Sequence, residues 1–244
     1  MLRPFANLVI VLALNFLFIV SNASPSFAQE CPDPAKVSNA LALQKPANKR
    51  YDRALPSYRD KSARYNLALV GDSLVELWQP WIKDSFPTRP VMNLGVAGDT
   101  TQNALYRLDG LNLPDFHPAD VVVLIGTNNL GAKTAPCAVA AGVVAVVSKV
   151  RALWPGAHIY ALSIPPRGKR YAFYEDVRIP ANELVASSLA AMPGVTFVQM
   201  NDDMLRCGKP SDKECSNYKP DHLHFNEGAY KLITSFLAAA GLQL

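Results

Sequence analysis

Five short apolar runs, each trailed by a longer stretch of helical character, restrict this chain to a small set of folds. The runs cover residues 66–70, 91–94, 121–125, 158–163 and 196–200, and they are rich in valine, leucine and isoleucine. Two are almost wholly apolar, as strands covered on both faces are. The stretches between and after them predict helices near 101–108, 136–153, 180–191 and 226–240. Thr134 is placed to cap the helix after the third strand and Asn226 the last one. Alternation of this kind predicts an α/β fold with one parallel sheet and helices on both faces.

Right-handed crossovers put the carboxyl end of every strand on one edge of such a sheet, the edge at which open α/β folds bind ligands. The residues there are Gly71-Asp72-Ser73-Leu74, then Gly95-Val96-Ala97-Gly98-Asp99-Thr100-Thr101 and Gly126-Thr127-Asn128-Asn129. Pro165-Pro166-Arg167-Gly168 follows the fourth strand, and Asp221-His222-Leu223-His224 precedes the last helix. A serine hydroxyl becomes a nucleophile when a neighbouring base takes its proton, and histidine titrates near neutrality. Asp221 stands three residues before His224, close enough on a turn for its carboxylate to hold the imidazole in one tautomer. The oxyanion of an acyl-transfer intermediate needs preorganised donors. The backbone N–H groups of Ser73 and Gly95 and the side-chain amide of Asn128 are the candidates.

These blocks resemble the four blocks of the SGNH (GDSL) hydrolases, in the family's order, with Ser73, Gly95, Asn128 and His224 at the four named positions. The resemblance is closest to the catalytic subunits of intracellular platelet-activating-factor acetylhydrolase. It extends to Tyr106-Arg107-Leu108 and Pro166-Arg167-Gly168 and runs from about residue 66 to the end. It implies a three-layer α/β/α flavodoxin-like fold with a five-stranded parallel sheet. It also implies ester hydrolysis through an acyl-serine, without metal or cofactor, at a shallow pocket for short acyl groups. Ser73, Asp221 and His224 would be catalytic. His222 stands where glycine or an aromatic residue is common in the family.

The first 28 residues read as a secretory signal peptide. Met1-Leu2-Arg3 is a positive start, residues 8–20 are apolar apart from Asn15, and Ser26-Phe27-Ala28 supplies small residues ahead of Gln29. The run is shorter than the roughly 20 apolar residues of a membrane span, and Gln29-Glu30 before Cys31 is a poor lipoprotein site. Residues 29–244 are then one domain, with 29–63 a polar, proline-spotted extension, in an exported protein that is secreted or periplasmic. Four cysteines in such a chain suggest two disulfides. Cys207 and Cys215 flank a polar loop, which leaves Cys31 for Cys137, but four cysteines admit three pairings and the sequence does not choose. Cys-x-x-Cys spacing is absent, and so is a third ligand to make a metal site of His222 and His224.

The formal charge is +4, and +3 without Arg3, with basic residues scattered, so nothing marks a nucleic-acid surface. Arg167, Lys169 and Arg170 read most simply as a solvated loop. The sharper reading has residues 167–176 overhanging the site and selecting anionic or sugar-bearing substrates. His117 and His158 read as structural, and Trp78 and Trp81 as core rather than substrate wall. The function expected is hydrolysis of short-chain, acetyl-type O-esters. The alternatives are an acyltransferase moving a short acyl group onto envelope glycans and a non-catalytic carbohydrate- or lipid-binding module. The oligomeric state is not legible.

Overall fold

In the computed structural model, residues 31, 34–46, 52, 59, 62–208 and 215–244 are described. The expected signal peptide (1–28) and much of the extension lie outside them. The five strands are β1 (Leu67–Gly71), β2 (Val91–Gly95), β3 (Asp120–Leu124), β4 (His158–Leu162) and β5 (Val195–Val198). They form one all-parallel sheet in the order β2-β1-β3-β4-β5. The helices that matter for the site are α1 (Pro34–Leu41), α2 (Ser73–Glu76), α3 (Thr101–Asp109), α4 (Pro136–Leu153), α5 (Glu175–Leu189) and α6 (Glu227–Ala239).

The period-2 alternation of the strands divides the core in two. Ala68 and Val70 of β1, Val121 and Val123 of β3 and Ile159 and Ala161 of β4 face a layer built from α3, α4 and α5. Leu67 and Leu69, Val122 and Leu124, and Tyr160 and Leu162 face α2, α6 and the segment around Trp78 and Phe86. β1 is buried along its whole length, which accounts for its continuous apolar run. By length and composition α4 is apolar enough to cross a membrane. That surface is spent here on the sheet and on its neighbours α3 and α5.

Both disulfides follow the expected pairs, Cys31–Cys137 and Cys207–Cys215. The first fastens α1 to the start of α4, where Val37, Cys137 and Ala141 form a small satellite core.

Three expectations are corrected. α5 begins at Glu175, five residues before Pro180, which lies inside it. The first turn is held by buried Arg178, whose guanidinium binds Glu175 (2.6 Å to Oε2) and Asp202 (2.6 Å). Thr134 does not cap α4. The N-cap is Ala135, and Pro136 at the first helical position has no N–H to satisfy. Asn226 does occupy the N-cap position of α6, but its amide donates instead to the carbonyls of Ser216 (3.0 Å) and Tyr218 (2.8 Å). One cap not anticipated from the sequence is Thr100, which forms a reciprocal capping box with Asn103 at the start of α3.

Candidate active site

Ser73 is the first residue of α2, directly beyond the end of β1. Asp72 builds the turn: its Oδ1 accepts the Leu74 N–H at 2.9 Å, and its carbonyl accepts those of Val75 (3.2 Å) and Glu76 (2.9 Å). This leaves the Ser73 N–H as a first-turn donor without a helical acceptor.

The loop ahead of α6 brings the histidine to it. His224 Nε2 lies 3.0 Å from Ser73 Oγ, and His224 Nδ1 lies 2.7 Å from Asp221 Oδ2. Asp221 Oδ1 accepts the backbone N–H groups of Leu223 and His224, both at 2.9 Å. Desolvation works to raise the Asp221 pKa. The hydrogen bonds from the His224 ring and from the two backbone donors outweigh it and bring the carboxyl down to about 2. An ionised Asp221 accepting from Nδ1–H fixes the tautomer in which Nε2 accepts the serine proton. The loop itself is pinned: Gly168 N–H donates to the His222 carbonyl (2.7 Å), and Tyr218 Oη to the Pro166 carbonyl (2.7 Å).

The other expected donors divide. The Asn128 amide donates to the Asp99 carbonyl at 2.9 Å, which leaves its second N–H. The Gly95 N–H is engaged by Asn93 Oδ1 at 2.9 Å, so it would serve a substrate only as a shared donor. Gly95 has a second, steric reason to be glycine. A Cβ there would lie 2.3 Å from Glu76 N and 2.8 Å from Val75 Cβ, inside the helix that carries Ser73.

Beneath this edge lies a charge pair that the sequence reading did not single out, although Arg107 falls in a resembling segment. Arg107, 3% exposed, pairs with buried Asp99 at 2.6 Å and donates to the carbonyls of Leu94 (3.2 Å) and Gly71 (3.4 Å). It thereby ties together the ends of β1 and β2. Burial pushes Asp99 up to about 6 against the opposing pull of Arg107. Burial likewise pushes Asp72 up to about 7, where the Leu74 N–H and Arg167 pull it down and Asp99 pushes it further up.

These shifts set a pH dependence of stability. Asp72 and Asp99 are raised above the unfolded value of 3.8, so the folded state keeps protons that the unfolded chain has already released. Stability from these two groups therefore falls as pH rises from about 4 to about 7. Asp221 acts oppositely, contributing above about pH 4 and losing its contribution as pH falls towards 2. Asp72→Asn is expected to flatten the decline between pH 4 and 7, by up to about 4 kcal/mol. Urea denaturation at pH 4.5 and 7.5 measures it, and equal pH slopes for variant and native protein would contradict the burial account.

Arg167 is not the solvated cation expected of its loop. Its guanidinium lies 4.2 Å over the Phe173 ring, its Nε is buried without a hydrogen-bond partner, and it interacts electrostatically with Asp72. Lys169 and Arg170 are exposed. His222 adopts a positive φ of 53° and sets its ring edge-on to Tyr171 at 5.8 Å. His158 Nε2 contacts Thr196 Oγ1 at 2.8 Å. Trp78 is core, stacked on Tyr230 at 5.1 Å, and Trp81 is partly buried against the same cluster.

Comparison with known proteins identifies the family. Residues 62–232 match the GDSL-like lipase/acylhydrolase family. The chain is 31% identical over 198 residues to platelet-activating factor acetylhydrolase IB subunit alpha1 of Rattus norvegicus, covering 80% of this chain and 82% of that one. It is 30% identical over 198 residues to subunit alpha2 of Gallus gallus, covering 80% and 83%. Among solved structures, a GDSL-like lipase from Bacteroides thetaiotaomicron superposes with a TM-score of 0.59 at 19% identity, over 78% of this chain and 96% of that one, a likeness of fold. The chain thus belongs to the GDSL-like lipase/acylhydrolase family and is an ester hydrolase.

Proposed function

We propose that the protein is an exported serine esterase that removes acetyl or another short acyl group from an oxygen, working through an acyl-serine. The observation that carries this reading is the unbroken hydrogen-bond chain Asp221–His224–Ser73. Ser73 Oγ attacks the ester carbonyl as His224 Nε2 takes its proton. His224 then returns that proton to the departing alcohol, and a water attacks the acyl-serine by the same route in reverse. Asp221 orients the ring and stabilises the imidazolium. The Ser73 N–H and the free Asn128 N–H hold the oxyanion, with Gly95 N–H as a shared third donor.

Export is supported by the signal-like residues 1–28 and by two disulfides, which persist in oxidising compartments. The mature chain is then residues 29–244, one catalytic domain carrying the 29–63 extension. Relatives named acetylhydrolases support the short acyl group.

The test is hydrolysis of p-nitrophenyl acetate, butyrate and octanoate by the purified mature protein. The expected order is acetate fastest and octanoate slowest. Octanoate hydrolysed faster than acetate would overturn the short-acyl reading. No hydrolysis of any of the three would overturn the esterase reading.

A further inference from the structure

The proposed oxyanion donors, the N–H groups of Ser73 and Gly95 and the side-chain amide of Asn128, come from the ends of three different strands. Nothing local fixes their spacing, yet such donors are effective only if they are held in place before the charge develops. One buried arginine touches the backbone behind all three.

Arg107 of α3 donates to the Leu94 carbonyl at 3.2 Å. That carbonyl and the Gly95 N–H are the two ends of one peptide unit, and a peptide unit is planar, so holding one end aims the other. A second guanidinium N–H reaches the Gly71 carbonyl at 3.4 Å. This carbonyl also accepts the Val96 N–H at 3.1 Å, and its peptide leads directly into the Asp72-Ser73 turn. The third contact is with the Asp99 carboxylate, gripped through Nε and Nη2, both at 2.6 Å. The Asp99 backbone closes the path, because its carbonyl accepts the Asn128 amide at 2.9 Å. A buried ion pair adds little net stability over an apolar pair of the same volume. What this one supplies is a planar fork of donors with fixed directions, which neither an apolar side chain nor a lysine reproduces.

We propose that Arg107 is a positioning residue for the oxyanion hole, setting the spacing of its three donors through Leu94, Gly71 and Asp99. It acts through these groups and not on the substrate. The inference rests on the serine-esterase reading and adds a residue to the same machinery.

The test is Arg107→Lys, which keeps a cation for Asp99 and gives up the fork. Hydrolysis of p-nitrophenyl acetate is measured together with inhibition by trifluoroacetone. Ser73 Oγ adds to the ketone carbon as its proton passes to His224, and the carbonyl electron pair becomes an oxyanion at the same donors. Arg107→Lys is expected to lower kcat about tenfold with KM within about twofold, and to raise the ketone Ki about tenfold in parallel. A merely structural role would shrink the folded fraction, which lowers kcat and leaves Ki unchanged. Arg178→Lys is the control: this buried arginine bonds Glu175, Asp202 and the Ile164 carbonyl and none of these peptides. It is expected to lower the urea midpoint and keep Ki within about twofold. If Arg107→Lys does not fold, Arg107→Gln combined with Asp99→Asn, a neutral pair that also drops the carbonyl contacts, is expected to show the same parallel change.

The inference is overturned if the folded variant keeps native kcat and Ki, if kcat falls while Ki stays, or if Arg178→Lys raises Ki as much. Wild-type protein that neither hydrolyses p-nitrophenyl acetate nor binds the ketone would overturn the esterase reading itself. An active wild type with an unaffected Arg107→Lys overturns the inference alone.

Discussion

Ser73→Ala is expected to lower kcat for p-nitrophenyl acetate by about 10⁴-fold or more, while the protein still folds. The fold survives because the change removes one oxygen from the first residue of α2, and that hydroxyl bonds His224 rather than the core. Removal of one such hydrogen bond changes stability by about 1 kcal/mol. The loss of rate is large because the remaining groups act as a unit: without the nucleophile, His224 and Asp221 have no acyl transfer to assist. Asp221→Asn is expected to follow the same direction, since an amide cannot hold the Nδ1–H tautomer as the carboxylate does. Steady-state rates alongside urea denaturation separate the two effects. A Ser73→Ala protein that keeps native rates would remove Ser73 as nucleophile.

The second large effect is steric. Gly95→Ala places a methyl 2.3 Å from Glu76 N and 2.7 Å from Val75 C, both backbone atoms of α2 that cannot swing aside. Either β2 or the helix carrying Ser73 must shift, at a cost of about 3 kcal/mol. Because the displaced element bears Ser73, the proposed nucleophile, kcat is expected to fall as well. Gly98→Ala is the control. Its φ of +84° disfavours a side chain, yet a Cβ there meets nothing within 4 Å, so the cost is about 1 kcal/mol. Urea midpoints for the two variants measure the contrast, and equal destabilisation would show that close approach is not what Gly95 provides.

The sheet was legible because the strands bury both faces, so continuous apolar runs such as 67–70 and 121–124 announce themselves without alternation. The order of site blocks was legible for a related reason: parallel strands with right-handed crossovers send every carboxyl end to one edge. Helix starts were less so. Pro180 reads as a beginning, but Arg178 finds Glu175 and Asp202 for partners and carries the helix back to Glu175. The buried charges were not legible at all. Asp72 and Arg167 are 95 positions apart, and what each becomes depends on burial that only the assembled edge supplies. The competing claim of Asn93 on the Gly95 N–H is similarly a matter of rotamer. The docking of α1 on α4 was hidden for another reason: a proline-spotted polar segment gives no sign of where it docks.

The most direct measurement is covalent capture. The mature protein is treated with a fluorophosphonate, which reacts with activated serines, and the adduct is located by peptide mass mapping while residual hydrolysis is followed. The account predicts a single adduct on Ser73, formed in step with loss of activity and absent in His224→Ala, where no base activates the hydroxyl. Complete loss of activity with the adduct on another residue, or full activity with Ser73 modified, would contradict it.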